Sequence, residues 1–564
     1  MRVSDVIIKK LVENEVKYVF GISAGTVSTL FDAINDSEIK TITTKNEAGA
    51  AYAACRYASI SNKLGVCIVA GGVGINNMIN GIADAMRSKV PVLILSGYVH
   101  RWQVGKGAIQ ELNTEKIVEP ITKYSKTVFD EMDVFQELDK AIEIANTPPY
   151  GPVHLSIPID LQMFKVDDEI GNFNKNYLAK AFKNEVLAEV AATVENDDNY
   201  MKINFDFNNL KEAAKVIDGE EKGLIMVGRG CRAFGEEVKK LANHLKWPII
   251  TTPEGKGVVN TDFQYNLGNY GFSSTDAAIN FVEKEKYSCL LVLGSTLGES
   301  ATRNYNDVLF KDKKLIHIDW DKKELDKVYK CEVGVYHDLG VAIPYIINNT
   351  KEKNNVFLKP NKLNDEYSNN HTGLSIRLFL EKIVDILPDD SYFISDIGEY
   401  MNFVFKYLPI KEHMGFDISL NYGAMGSGVC GAMGAHLALP NKQVAVLVGD
   451  GSFFMNGTEV LTAKHYNMPI IYFVNNNSML GYVEHGHSFL YGRSVESFVY
   501  DRISIAKMAE AMNIKSIQIG NIEELSNLKE FLTDLNGPCI VELITDGSEK
   551  VPVADRFKAL SNTK

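Results

Sequence analysis

The chain has 564 residues, 45% of them hydrophobic and 23% charged, with a formal net charge of −13 and a pI near 5.5. That length accommodates roughly three or four domains and a core that needs no disulfide staples. No basic block stands out, which argues against nucleic acid and anionic membrane as partners, and no uninterrupted apolar run approaches the roughly 18 residues of a membrane span.

In chain order, "MRVSDVIIKKLVENEVKYVFG" reads as an amphipathic helix leading into a strand, not as a signal peptide. "KLGVCIVAGG" (63–72) and "VPVLILSG" (90–97) read as buried strands ending in glycine, with the helix "INNMINGIADAMRSK" between them. That is a β-α-β pattern and hence a parallel sheet. "YGPVHLSIPID" (150–160) closes this first part. Residues 166–207 form an Asn-, Asp- and Lys-rich linker carrying one helix, "AKAFKNEVLAEVAATV". The α/β signature returns over 222–345 in "KGLIMVG", a helix over 235–246, "WPIITT", "CLLVLG" and "KLIHIDW". After a second polar linker, 350–371, come "SYFISD", "QVAVLVGD", "MPIIYFVNN" and "PCIVELI". The expected fold class is α/β, with three doubly wound parallel-sheet domains over 1–165, 205–348 and 372–550, and no short-period repeat. The seven cysteines, Cys55, Cys67, Cys231, Cys289, Cys331, Cys430 and Cys539, include no C-x-x-C pair. Zinc and redox-motif readings therefore fail, and a cytoplasmic protein is expected.

Ligands of such sheets sit at the carboxyl ends of the strands, where Gly71–Gly72, Asp396–Gly398 and Asp450–Gly451 fall. Asp450 leaves an apolar run flanked by glycines, and "NNNS" (475–478) follows after one helix and one strand. A turn uses Asp and Gly in the same way. A β-α-β unit, however, sets its two strand ends side by side. A carboxylate, an amide oxygen, a backbone carbonyl and phosphate oxygens then suit Mg²⁺. "GSGVCG" (426–431) mimics a dinucleotide fingerprint but does not follow a buried strand directly. Glu47 opens a helix of small residues, "EAGAAYAACRYA". Its ordinary role there is a helix-dipole partner; the alternative is a buried carboxylate that exchanges protons near neutrality. "ISDIGEY" (394–400) is a strand-end loop that becomes a second wall of a phosphate pocket if Asp450 lies beside it.

Together these pieces resemble the thiamine-diphosphate enzymes of the acetolactate synthase type over nearly the whole chain, in the order pyrimidine-binding, central and diphosphate-binding domain. "GDG…NN" resembles the family's metal and diphosphate motif, and "KNEAGA" its R-H-E-Q-x-A segment. "AGGVGINNMINGIADAMRSKVPVLILSG" resembles T-S-G-P-G-x-x-N…G-x-A-x-A-x-x-D-S-V-P, and "GAIQELN" resembles D-x-F-Q-E. "PITKYS" and "YGPVHLSIPIDLQ" match further segments. The resemblance implies that Asp450, Asn477 and the Met479 carbonyl hold Mg²⁺. It implies that Gly449, Gly451 and Ser452 meet the diphosphate from one side, and Ile397, Gly398, Glu399 and Tyr400 from the other. It puts Met425 beneath the thiazolium ring, Gly423 at the aminopyrimidine, and Gly481 and Tyr482 beside the cofactor. Glu47 would reach in from a neighbouring subunit to bond the pyrimidine nitrogen, which implies a homodimer or homotetramer with the site at the interface.

The chain departs from the pattern in three places. Tyr400 stands where the D-x-G-x-H loop has His, and "GYVEHGH" (481–487) replaces G-M-V-x-Q-W at the substrate mouth. "GSTLGESATRNYN" replaces the flavin-binding G-x-R-F-D-D-R, while "TTPEGKG" and "HIDWD" still look like the frame of that site, so FAD stays open. His485 is a candidate substrate contact and His487 a surface residue. Gln110 stands where simple decarboxylases carry a His pair. The expected function is a decarboxylating carboligase that takes a 2-oxo acid, pyruvate first, and a second carbonyl substrate. The alternatives are a non-ligating decarboxylase and, remotely, a nicotinamide-dependent oxidoreductase. A catalytically dead paralogue is disfavoured by the presence of Glu47, Asp450 and Asn477.

Overall fold

A computed structural model describes residues 1–166, 205–354 and 373–552. The linker helix expected within 166–207 lies outside the described residues, as does most of the second linker.

The first sheet contains β1 (Tyr18–Gly21), β2 (Lys40–Thr43), β3 (Gly65–Val69), β4 (Val92–Tyr98), β5 (Tyr124–Thr127) and β6 (Pro152–Pro158). Its order is β2-β1-β3-β4-β6-β5, parallel throughout. Its inner strands β3, β4 and β6 are buried along their whole length. A parallel sheet covered on both faces needs such unbroken apolar runs. The amphipathic N-terminal helix Val3–Glu13 buries Val3, Val6, Ile7 and Leu11, the spacing of a single helical face.

The second sheet contains β7 (Gly223–Val227), β8 (Ile249–Thr251), β9 (Asn266–Asn269), β10 (Cys289–Leu293), β11 (Lys314–Asp319) and β12 (Val333–Tyr336), in the order β12-β11-β10-β7-β8-β9. This is the dinucleotide-fold order, read from its far edge. The third contains β13 (Tyr392–Ser395), β14 (Gly415–Asp417), β15 (Val444–Gly449), β16 (Ile471–Asn476), β17 (Lys515–Ile519) and β18 (Cys539–Ile544), in the order β14-β13-β15-β16-β18-β17. The first and third sheets thus share one topology.

The chain divides into two compact units, Met1–Phe205 and Asp206–Lys564, so the second and third sheets belong to one body. The second polar joint does not separate packing units, because side chains and backbone bridge it. Thr261 N donates to Ile410 O at 2.7 Å, Asn421 Nδ2 to Glu254 Oε2 at 2.5 Å, and Ser273 Oγ to Asn402 Oδ1 at 2.9 Å. Arg232 also pairs with the buried Asp417. Among the described residues no helix is long and apolar enough to cross a membrane.

Candidate active site

The site is built at the carboxyl ends of β13, β15 and β16. Gly449, the last residue of β15, is in register with Asn475 of β16, so Asp450 comes level with the asparagines. The Asp450 carboxylate, 2% exposed, accepts from Gly451 N and from Ser478 N, each at 2.8 Å. The second bond ties the two strand-end loops together. Of the three asparagines, two are committed to the fold. Asn475 Oδ1 accepts from Thr545 Oγ1 at 2.8 Å, and Asn476 Nδ2 donates to the buried Glu542 at 2.6 Å. Among the described residues Asn477 Oδ1 has only a long contact from Met479 N at 3.3 Å. Met479 pairs with Val499 in an isolated antiparallel bridge, whose hydrogen bonds use the Ser478 and Phe498 carbonyls and leave the Met479 carbonyl aside.

Burial pushes the Asp450 carboxyl up to about 6, against the pull of the two amides, Tyr500 and Arg502. A buried carboxylate lifted in this way calls for a nearby positive charge. Among the described residues no group of three or more His, Cys, Asp or Glu forms a metal site. A cation here would therefore rest on the Asp450 carboxylate, the Asn477 amide oxygen and the Met479 carbonyl, with a ligand's oxygens completing the set. That all-oxygen donor set fits Mg²⁺. Beside it, a Cβ on Gly449 would meet nothing within 4 Å. The open space adjoins the first turn of the helix Asp450–Asn456, so the residues present fit a magnesium-bound diphosphate.

The loop after β13 forms the second wall. Asp396, 2% exposed, accepts from the N–H groups of Ile397, Gly426 and Gly428 at 2.7–2.8 Å and of Val429 at 3.2 Å. Burial raises its pKa and the four donors oppose the rise. Asp396 thus anchors the N-terminus of the helix Ser427–Ala438. A Cβ on Gly428 would stand 2.9 Å from Asp396 Oδ2, so the glycine serves this close approach and "GSGVCG" is no dinucleotide fingerprint. Ser452 Oγ donates to Ile397 O and joins this loop to the Asp450 loop. Gly398 is left-handed-side backbone at φ 144°, with Ser452 Oγ the nearest atom to a Cβ there, at 3.8 Å. Met425 lies against Gly451, its Cε 3.6 Å from where a Cβ would sit, and Gly423 has φ 79° in the turn before it.

The structure does not bring the Tyr400 side chain to this opening. It is 3% exposed and packed in the third sheet's apolar core, where the Glu549 charge and burial raise its pKa. The reason is helical phase: Tyr400 opens the helix Tyr400–Tyr407 on its core-facing side, with Phe403 and Val404. Its neighbour Glu399 faces the opening instead. Its carboxylate lies against Gly481, where a Cβ would be 2.7 Å from Oε1, and pairs with His485 Nδ1. Tyr482 is half-buried in the first turn of the helix Gly481–Tyr491. His487 stacks on Tyr491 at 4.5 Å, so the H-x-H spacing of His485 and His487 is not a metal site.

Glu47 and Gln110 lie in the first unit. Glu47 opens the helix Glu47–Ser61, whose N-cap Asn46 accepts from Ala48 N, and its carboxylate is half-buried. Asn77 Nδ2 donates to Glu47 Oε2 at 2.9 Å, and Glu47 Oε1 is 3.6 Å from where a Gly74 Cβ would stand. Gln110 has φ 67°, and its carbonyl closes on Gly72, where a Cβ would be 2.6 Å away. Glu111 shapes that loop by accepting from Gly107 N at 2.9 Å and Ala108 N at 3.0 Å. Glu47, Asn77, Gly72 and Gln110 therefore belong to one surface. Motif reading missed Asn77, and it named Glu399 and His485 without their pairing. Asn77 stands in the quoted G-x-x-N segment, whereas the pair joins positions 86 apart in sequence and leaves no local signal.

In the second sheet the crevice outside β7 and β10 is where such a fold takes a dinucleotide. Here Gly230 N donates to Gly294 O at 3.0 Å, and a Cβ on Gly228 would lie 2.2 Å from that oxygen. Arg229, next to these glycines, approaches Glu254 at 3.5 Å. These residues do not fit the diphosphate of a dinucleotide such as FAD in that crevice.

Comparison with known proteins covers the three sheets in turn. Residues 1–117 match the N-terminal TPP binding domain of thiamine pyrophosphate enzymes, residues 210–346 their central domain, and residues 396–543 their C-terminal TPP binding domain. The acetolactate synthase large subunit of Lactococcus lactis is 29% identical over 97% of this chain and 93% of its own. The isozyme 2 large subunit of Escherichia coli is 28% identical over 95% and 94%, and a probable acetolactate synthase large subunit of Methanocaldococcus jannaschii is 27% identical over 100% and 95%. With three matching domains in order and relatives aligned along nearly the whole chain, the chain belongs to the thiamine pyrophosphate enzymes, of the acetolactate synthase-like type.

Proposed function

We propose that the protein decarboxylates a 2-oxo acid, pyruvate in first place, and joins the remaining two-carbon unit to a second carbonyl, pyruvate again, giving acetolactate. The observation that carries the reading is the Asp450–Ser478 link, which holds a carboxylate and the Asn477 amide oxygen at one open strand end. Bound thiamine diphosphate supplies the carbon nucleophile and the electron sink for decarboxylation. Asp450, Asn477 and the Met479 carbonyl would hold its Mg²⁺, the open space at Gly449 would take the phosphates, and Met425, lying against Gly451, would pack on the cofactor. Glu47 has one oxygen on Asn77 and the other free to hold or move a proton at the cofactor's pyrimidine. Gln110 can donate to a carbonyl oxygen but cannot deliver a proton as an imidazolium does. A glutamine at this position, where simple decarboxylases carry a histidine pair, favours carbon–carbon bond formation over release of an aldehyde.

A second copy of the chain completes the site in this reading, Glu47 of one copy serving Asp450 of the other. Ile109, next to Gln110, is 92% exposed, and Trp102, earlier in the same connection, is 66% exposed; apolar side chains left open in this way suit a partner. Among the described residues the seven cysteines form no disulfide, which suits a reducing cytoplasm.

Two assays test the proposal. Pyruvate, Mg²⁺ and thiamine diphosphate should give a product that acid converts to acetoin; acetaldehyde alone contradicts ligation. Mixing inactive Glu47→Gln and Asp450→Ala chains, then allowing exchange, should restore roughly a quarter of the activity, since mixed dimers hold one intact site. No recovery contradicts a shared site.

A further inference from the structure

Glu399 is bracketed by both walls of the diphosphate opening. Ile397, two residues before it, is bonded to Ser452, and its own carboxylate lies on Gly481, two residues after Met479. The Glu399 side chain is only 9% exposed. A buried carboxylate at that place would repel an incoming diphosphate, because like charges in a half-desolvated site raise each other's energy. One imidazole answers it. His485 stands one turn into the helix Gly481–Tyr491, on the same face as Gly481, and its Nδ1 meets Glu399 Oε2. Its side chain is 29% exposed. Glu399 raises the His485 pKa against the cost of its burial, and the Glu484 carboxylate and the Gly547 carbonyl add to the rise. Gly547 itself packs on Met479 and Asn477, so His485 stands beside the cation loop.

We propose that His485 is a positioning residue of the diphosphate site: its imidazolium cancels the charge of Glu399, so that the wall formed by Glu399 and Gly481 presents no net negative charge to the cofactor's diphosphate. The inference rests on the reading of Asp450 as the holder of that diphosphate's Mg²⁺.

Titration calorimetry of the full chain with Mg²⁺ and thiamine diphosphate, and with Mg²⁺ and inorganic diphosphate, tests it on four variants. His485→Gln should weaken both ligands about tenfold, the scale of a charge left without its partner in a partly buried site. Glu399→Gln should bind at least as tightly as the wild type. The double variant should return to within about threefold of wild type, since the uncompensated charge is gone. Equal losses in both single variants without recovery in the double would overturn charge cancellation in favour of a simple hydrogen-bonded brace. Unchanged affinity in His485→Gln, with Asp450→Ala weakened, would overturn the inference alone. Unchanged affinity in Asp450→Ala would overturn the diphosphate reading and the inference with it.

Discussion

The side-chain amide of Asn77 donates to Glu47 Oε2 at 2.9 Å and so joins the first turns of two helices. Those helices, Glu47–Ser61 and Val73–Ser88, approach closely because Gly81 faces Ala51, where a Cβ would be 2.3 Å from the Ala51 Cβ. Asn77 therefore fixes which oxygen of Glu47 remains free. Asn77→Ala should lower kcat by about tenfold, the cost of a mispositioned proton-exchanging group, with cofactor affinity within a few-fold of wild type. Steady-state kinetics beside calorimetry check this.

Glu47→Gln keeps the shape and the Asn77 contact but removes the exchangeable proton. Turnover should fall by about 100-fold or more, while Mg²⁺ and thiamine diphosphate still bind. Near-wild-type turnover would remove Glu47 from its role.

Asp396 satisfies four buried N–H groups at once. Asp396→Ala would leave them without an acceptor and should destabilise the protein by about 2–4 kcal/mol, with Asp396→Asn milder. Denaturant unfolding measures the difference, and a change below about 0.5 kcal/mol would contradict the anchoring role.

Lys256 is buried with its ammonium on the Phe405 carbonyl at 3.2 Å, and burial pushes its pKa down from 10.5 to about 7. Between those two values the unfolded chain binds more protons than the folded one, so stability rises with pH across that window. Below about 7 both states are charged and the penalty is complete; above 10.5 both are neutral and it vanishes. Lys256→Met should therefore raise the Tm at pH 6–7, by on the order of 1–3 kcal/mol in stability, and lose the advantage near pH 10.5. A Tm gain that is equal at both ends would contradict the assignment.

Much of the fold was legible because parallel strands buried on both faces must be continuous apolar runs, as β3, β4, β7 and β15 are. The shared topology of the first and third sheets was not, since strand order demands no shared side chains. The resemblance already singled out Asn477 among three asparagines; the fold adds the physical reason, because Asn475 and Asn476 are spent on Thr545 and Glu542. Tyr400 sits inside a recognisable loop, yet its helical phase turns it into the core while Glu399 faces the opening. Motif alignment assigns a position to a site; it does not assign the direction of a side chain.

The central claim, ligation after decarboxylation, is tested most directly by ¹³C NMR of [2-¹³C]pyruvate incubated with the protein, Mg²⁺ and thiamine diphosphate. The account predicts a product in which the two labelled carbons are bonded and split each other's signals. Labelled acetaldehyde without that coupling, or pyruvate left intact, would contradict it.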